Sequence, residues 1–204
     1  MNRYNEVNLD NKISYLDMDN KKGKIYFDTI LSESKSTKLY NKLIEKTPWE
    51  HGVYNMFGKE VKTPRLLWAM KEDGFDIEKS YTITGSSVWS KEVEKLKTKV
   101  EKIIKKKIRY AQINYYRNGN DYIGWHTDSE VIEGDLIASI SIGATRKFQF
   151  RAIDKNNKEK YQINLTNGSL IVFDYSAAKK DWKHRIPKEP KVEDGRINIT
   201  FRLR

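Results

Sequence analysis

The spacing of hydrophobic residues changes several times along the chain. The first thirty residues carry little periodicity beyond a short run at Lys24–Asp28, read as a strand. After Ser32, the segment ESKSTKLYNKLIEK places Leu39, Leu43 and Ile44 on one helical face and stops before Pro48. Residues 49–89 lose that rhythm. Trp49, Tyr54, Phe57, Trp68, Phe75, Tyr81 and Trp89 are interleaved there with glycines and lysines, as in core strands or in a surface on which bases stack. Helical spacing returns over Ser90–Lys107, where Val93, Leu96, Val100, Ile103 and Ile104 share a face. The lysines of that helix are a solvated face or a contact to phosphate.

After residue 108 the period becomes two. YAQINYYR, DYIGWH, LIASISIGA, KFQFRAI, YQINL, SLIVFDY and RINITFRLR follow one another, separated by turn signals such as Asn118-Gly119, Asn156-Asn157 and Asn167-Gly168. Helices followed by a run of short strands predict an α+β protein ending in an antiparallel sandwich or barrel. No internal repeat or flexible linker interrupts the 204 residues, so a single domain is expected.

Composition narrows the function classes. There are no cysteines, which excludes disulfides, thiolate metal sites and cysteine nucleophiles. No apolar run approaches the roughly 18 to 20 residues of a membrane span, and the first twenty residues are polar. A soluble, intracellular protein without membrane association is expected, with nucleus and cytoplasm not distinguished. A net charge of +11 favours polyanionic partners such as nucleic acid, although a lysine-rich soluble surface gives the same count.

The chemistry concentrates on few residues. Only three histidines occur, His51, His126 and His184. In an extended segment, positions i and i+2 point to one side, so His126 and Asp128 can converge on one ion. His184, in DWKHRIP, is a candidate third ligand. Two histidines and a carboxylate form the face typical of non-haem Fe(II) oxygenases. An H-x-D pair alone is equally a turn with a polar histidine. In RINITFR, alternation puts Arg196, Asn198, Thr200 and Arg202 on one face and Ile197, Ile199 and Phe201 on the other. Two guanidinium groups facing a barrel interior are costly unless paired. A dicarboxylate would pair them; an edge strand would instead let them reach solvent. Asn114 and Tyr116 share a strand face just before His126 and offer hydrogen bonds to the same ligand.

Together, NYYRN, DYIGWHTDSE, IASISIGATRKFQFR, GSLIVFD, DWKHRIPKE and RINITFR resemble the AlkB family of Fe(II)- and 2-oxoglutarate-dependent dioxygenases over roughly residues 50–204. The duplex-DNA-repairing branch of alkylated-DNA demethylases is the most similar. The resemblance implies an α+β fold with a double-stranded β-helix (jelly-roll) core at 108–204, N-terminal helices and a nucleotide-recognition lid at 48–90, all within one domain. It implies that His126, Asp128 and His184 bind Fe(II), and that Asn114, Tyr116, Arg196, Asn198 and Arg202 hold 2-oxoglutarate. With O2, such enzymes convert 2-oxoglutarate to succinate and CO2 and hydroxylate an N-methyl group on a base, which leaves as formaldehyde. A base inside a stack cannot reach the metal, so it must be flipped out or single-stranded.

The resemblance also reaches MFGKEVKTPR, similar to a hairpin that enters the duplex. Phe57 matches its apolar finger, flanked by Met56 and Gly58. Lys59, Lys62 and Arg65 would then meet phosphates. Tyr81, Ile83, Ser129 and Glu130 fall on the base-recognition side. Two of these depart from the family pattern: Ile83 stands where an aromatic stacking residue is usual, and Ser129 where an acid is usual. The expected partner is nucleic acid, DNA ahead of RNA, bound by a monomer. Two alternatives remain: the same chemistry on RNA, a protein or a small molecule, and a nucleic-acid-binding module whose jelly roll is idle.

Overall fold

Strand parity divides the hydrophobic residues of the chain between two cores. The computed structural model describes residues 4–7, 12–17, 21–56, 58–77 and 85–204, and Phe57, Tyr81 and Ile83 lie outside them. In chain order the strands are β1 (Asn5–Glu6), β2 (Ile13–Asp17), β3 (Lys22–Thr29), β4 (Glu50–Met56), β5 (Lys59–Lys71), β6 (Ser86–Val88) and β7 (Tyr110–Tyr116). They continue as β8 (Ile123–His126), β9 (Leu136–Gly143), β10 (Arg146–Ala152), β11 (Lys160–Leu165), β12 (Ser169–Asp174), β13 (Trp182–Ile186) and β14 (Arg196–Arg202). Two helices, α1 (Glu33–Lys46) and α2 (Lys91–Ile104), accompany them.

The large sheet has the order β2-β3-β12-β9-β14-β7-β5-β4, with β6 added parallel to β5. The small sheet runs β1-β11-β10-β13-β8. On β9, Ala138, Ile140 and Ile142 pack towards the helices, whereas Ile137 joins the core shared with the small sheet. On β12, Leu170 and Val172 take the helix side and Ile171 and Phe173 the inner side. β12 is apolar on both faces because both are covered, whereas β9 also carries Ser139 and Ser141 on its inner side. This is the jelly-roll arrangement expected from the sequence.

The helices form where the pattern placed them. α2 starts at Ser90, whose hydroxyl accepts from the Val93 amide, and buries Val93, Leu96, Val100 and Ile104. It ends three residues before Lys107 because Lys105 turns left-handed (φ 56°), redirecting the chain towards β7. The Glu101 carboxylate then accepts from the Ile108 amide at 2.8 Å. Among the described residues, no helix is long and apolar enough to cross a membrane.

Two differences from the sequence pattern bear on the site. Residues 182–186, given no strand there, form β13, whose alternation is short and places Trp182, His184 and Ile186 inward. The segment 48–90 contributes β4, β5 and β6 to the large sheet, with Leu66–Lys71 paired to Tyr115–Tyr110 of β7.

Candidate active site

The two histidines arrive from neighbouring strands. β8 ends at His126, which stands opposite His184 of β13 in register, and Asp128 follows two residues later. Ligand atoms of His126, Asp128 and His184 all lie within 4.8 Å of one another, a spacing one metal ion can bridge. His126 Nδ1 donates to the Gly124 carbonyl at 2.8 Å, which leaves Nε2 free to ligate a metal. His184 Nε2 lies 3.4 Å from Asp128 Oδ2. Phe148, Phe150 and Phe173 surround the His184 ring, with centroids 5.4, 6.1 and 5.5 Å away, and keep that side apolar.

A π-helical turn over Ser176–Lys180 holds the loop after His126. The Asp128 amide donates to the Ala178 carbonyl at 3.0 Å. Lys179 Nζ donates to the carbonyls of Ser129 and Val131, at 2.6 and 2.9 Å. Such turns interrupt regular backbone and recur at functional sites.

The electrostatics prepare the triad for a cation. Burial, and then the neighbouring His184 imidazole, push His126 down to about 3, so its lone pair is free at neutral pH. Burial alone would raise the Asp128 carboxyl. Arg202, with Nη2 2.9 Å from Oδ1, and the two imidazoles outweigh it and hold the group well below the usual carboxylate range. The site therefore offers the Asp128 carboxylate and a neutral His126 imidazole, with His184 beside them.

The arginine strand supplies the floor. Arg196, Asn198, Thr200 and Arg202 line the same cavity as the triad, while Ile197, Ile199 and Phe201 face the helices, as alternation predicts. The two arginines differ in their partners. Arg202 is enclosed by Asp128 and Glu130, which raise it above its ordinary value against the effect of burial. Arg196 is 1% exposed and donates Nη2 to the Ser141 hydroxyl at 2.7 Å. Among the described residues, its Nε and Nη1 meet no acceptor. Burial draws Arg196 down to about 10, which leaves it cationic at neutral pH. An unpaired buried guanidinium is costly and fits an anionic ligand.

Asn114 and Asn198 form a hydrogen-bonded bridge beside it. Asn114 Nδ2 donates to Asn198 Oδ1 at 3.3 Å, and Thr200 Oγ1 donates to that same oxygen at 2.8 Å. Tyr116 lies between two guanidinium groups, with Arg196 Cζ 5.1 Å and Arg146 Cζ 5.6 Å from its centroid. Arg146 did not stand out in the sequence, although it shares the parity of Phe148 and Phe150. It is buried and ties together the carbonyls of Asn118, Asp121 and Pro187 and the carboxylate of Glu189. Gly119 belongs to that junction, since a Cβ there would lie 1.8 Å from the Glu189 carbonyl oxygen.

One expectation is overturned. Arg65 is not a surface contact for phosphate: it is 5% exposed, faces the cavity and donates Nε to Asn114 Oδ1 at 2.7 Å. It shares the inward parity of Thr63 and Leu67 on β5, whereas Lys59 and Lys62 are exposed. Gly58 takes the left-handed conformation of the β4–β5 hairpin (φ 76°). Ser129 is exposed at the cavity, and Glu130 is engaged by Arg202. The cavity measures about 1220 Å³, above the roughly 300–1,000 Å³ of ordinary small-ligand pockets, and so has room for two reactants.

Comparison with known proteins follows the same lines. The 2OG-Fe(II) oxygenase superfamily model matches residues 23–202. The chain is 30% identical over 173 residues to the human alpha-ketoglutarate-dependent dioxygenase alkB homolog 3, covering 80% of this chain and 60% of that protein. It is 27% identical over 191 residues to the DNA oxidative demethylase ALKBH2 of Bos taurus, covering 86% and 67% respectively. It is 28% identical over 208 residues to that of Arabidopsis thaliana, covering 88% and 65%. The chain thus spans about three-fifths of the length of the alkB homolog 3 proteins it matches. The structure of OsALKBH1 shares the fold with a TM-score of 0.58 and 15% identity, over 87% of this chain and 97% of that one. Enzymes of this superfamily use Fe(II), 2-oxoglutarate and O2, and the triad and unpaired arginine fit that set. The chain belongs to the 2OG-Fe(II) oxygenase superfamily and is AlkB-like within it.

Proposed function

We propose that the chain is an oxidative demethylase of N-alkylated nucleic-acid bases, with DNA ahead of RNA as substrate. One observation carries the reading. A single large cavity joins a triad at metal-ligand spacing to a buried guanidinium with unpaired donors, and leaves room for a reactant of nucleobase size. The net charge of +11 and the demethylase names of relatives over most of the chain support a nucleic-acid substrate.

His126, Asp128 and His184 would hold Fe(II). Arg196 and Arg202 would receive 2-oxoglutarate, with Tyr116, Asn114 and Asn198 beside them. With that co-substrate and O2, a bound iron would supply the oxidation that hydroxylates the N-methyl carbon, with 2-oxoglutarate going to succinate and CO2 and the hydroxymethyl group going to formaldehyde. The remaining work belongs to the chain. Gly124 and Ala178 aim His126 and Asp128, Arg202 keeps Asp128 ionised, and Phe148, Phe150 and Phe173 exclude water behind His184. The base enters flipped out or single-stranded. In this reading Phe57 is the duplex-entering finger, with Lys59 and Lys62 on phosphates, and Tyr81, Ile83, Ser129 and Glu130 flank the base.

The test is formaldehyde release from methylated single- and double-stranded DNA and RNA, with iron and 2-oxoglutarate supplied. Release from at least one DNA oligonucleotide, lost in His126→Ala, is the expected result. Uncharged Ser129 beside Asp128 favours a second reading, the same chemistry on a protein or small molecule. Consumption of 2-oxoglutarate with no oligonucleotide demethylated would establish that reading instead.

A further inference from the structure

The strand that delivers His126 is weakly tied by its backbone. β8 has four residues and lies at the edge of the small sheet, where it pairs with β13. That pairing has two register pairs, His184↔His126 and Ile186↔Ile123, with an irregularity between them. So short a ladder does little by itself to hold an imidazole within the sub-ångström tolerance of a functional constellation.

The outer face of the sheet supplies a second tie. Trp125 alternates with His126 and so points away from the triad. Its ring lies between two guanidinium groups, Arg151 Cζ of β10 at 4.6 Å and Arg185 Cζ of β13 at 4.5 Å from the centroid. Among the described residues, neither arginine has a carboxylate within ion-pair distance, so two like charges converge on one aromatic ring.

Arg185 is itself fixed, donating Nε to Gln149 Oε1 at 2.8 Å and Nη2 to Tyr4 Oη at 3.1 Å. Gln149 Nε2 donates to Gln162 Oε1 at 2.7 Å, and Gln162 Nε2 to Glu6 Oε1 at 2.9 Å. This series crosses the sheet from β8 through β13, β10 and β11 to β1. On the inner face of three of those strands stand His126, His184 and the Phe148 and Phe150 rings.

We infer that Trp125 is a positioning residue for the metal site: it clamps edge strand β8 across β13 to β10, so that His126 stays opposite His184. The inference rests on the reading of His126, Asp128 and His184 as metal ligands. It also explains why two arginines that line none of the co-substrate floor are stacked directly behind the two imidazoles.

The experiment titrates the metal-free full-length chain with Co(II), read by its d–d absorption, with thermal unfolding measured in parallel. Trp125→Ala is expected to weaken Co(II) binding about 10-fold, the lower end of what loss of support for a metal ligand costs, and to alter the absorption bands. Trp125→Phe, which keeps an aromatic face for both arginines, restores most of the affinity. Gln162→Ala, at the far end of the series, lowers the melting temperature and leaves Co(II) affinity unchanged. Should Trp125→Ala fail to fold, the double substitution Arg151→Met with Arg185→Met leaves the ring in place and weakens binding similarly. A parent chain that takes up no Co(II) overturns the metal-site reading, and this inference with it. A parent that binds, with a folded Trp125→Ala that binds equally well, overturns this inference alone. Equal weakening in Trp125→Phe and Gln162→Ala overturns it too, because general sheet stability would then account for the effect.

Discussion

In the proposed reading, the co-substrate half of the site and the metal half stand on opposite kinds of strand. β14, which carries Arg196, Asn198 and Arg202, is central in the large sheet, with seven register pairs to β7 and six to β9. β8, which carries His126, is an edge strand with two register pairs. A central strand fixes side chains through its ladder, so Arg196 needs little beyond Ser141. The metal side is fixed residue by residue instead, through Gly124, Ala178, Lys179 and Arg202. Charge divides the same way. Asp128 and Arg202 neutralise each other within the protein, while Arg196 has no carboxylate partner among the described residues. One half is electrically complete and held by individual contacts, and the other is held by its ladder and electrically open.

That contrast predicts opposite signs for two substitutions. Asp128→Ala removes a proposed metal ligand and strands Arg202 in the interior with only Glu130. Formaldehyde release is expected to fall to background, and the metal-free chain to lose about 3 kcal/mol in urea unfolding. Arg196→Met removes a buried charge that has no counter-ion. The KM for 2-oxoglutarate is expected to rise about 100-fold, the cost of two charge-assisted hydrogen bonds. The chain free of 2-oxoglutarate keeps its stability or gains some, since no ion pair is lost. Destabilisation by both substitutions alike would erase the distinction between the halves.

Much of this was legible because it depends on local parity. Three histidines in the whole chain, one of them two residues from an aspartate, leave few triads to consider. Alternation in RINITFR put the polar and apolar faces where β14 has them, and α1 spans the fourteen residues its spacing marked. The parts that stayed hidden are long-range. Arg196 and Arg202 look equivalent along the strand, and only the arrival of Asp128 from the other sheet separates them. Nor can a pattern show that β8 is an edge, which is what gives Trp125 its work. Arg65 follows a proline in a lysine-rich hairpin and reads as a solvent-facing cation. Its inward parity mattered only once β5 paired with β7 and brought Asn114 within 2.7 Å.

Arg65 gives a smaller effect, and it tests whether the ladder-held half extends into the hairpin. Arg65→Leu frees the Asn114 amide, which then no longer holds Asn198 as firmly. The KM for 2-oxoglutarate is expected to rise about 10-fold, the equivalent of one hydrogen bond to a charged group. The salt dependence of DNA binding should stay unchanged, because a buried guanidinium releases no counterions. A slope reduced by about one unit, with KM for 2-oxoglutarate unaltered, would return Arg65 to the phosphate backbone.

The smallest expected effect concerns the tie between the halves. Asp135, at the end of the loop that follows Asp128, accepts from Arg204 Nε and Nη2, both at 2.9 Å, and from the Ile132 amide at 3.1 Å. Arg204 continues the chain just beyond β14, so this pair fastens the metal loop to the central strand. Burial would raise the Asp135 carboxyl, but Arg204 and the Ile132 amide outweigh it and hold the group below its ordinary value. A depressed folded-state pKa means the unfolded chain binds the proton more readily. The stabilisation is therefore present above the ordinary carboxylate pKa, about 3.9, and is lost as pH falls through the lower folded value. Because the Arg204 side chain is 57% exposed, solvent limits the contribution to about 1 kcal/mol or less. Asp135→Asn should thus lower the melting temperature of the metal-free chain by a few degrees at pH 7. The gap to the parent should close as pH drops below about 4, and a gap that stayed constant down to pH 3 would mean that packing, not charge, fastens the loop.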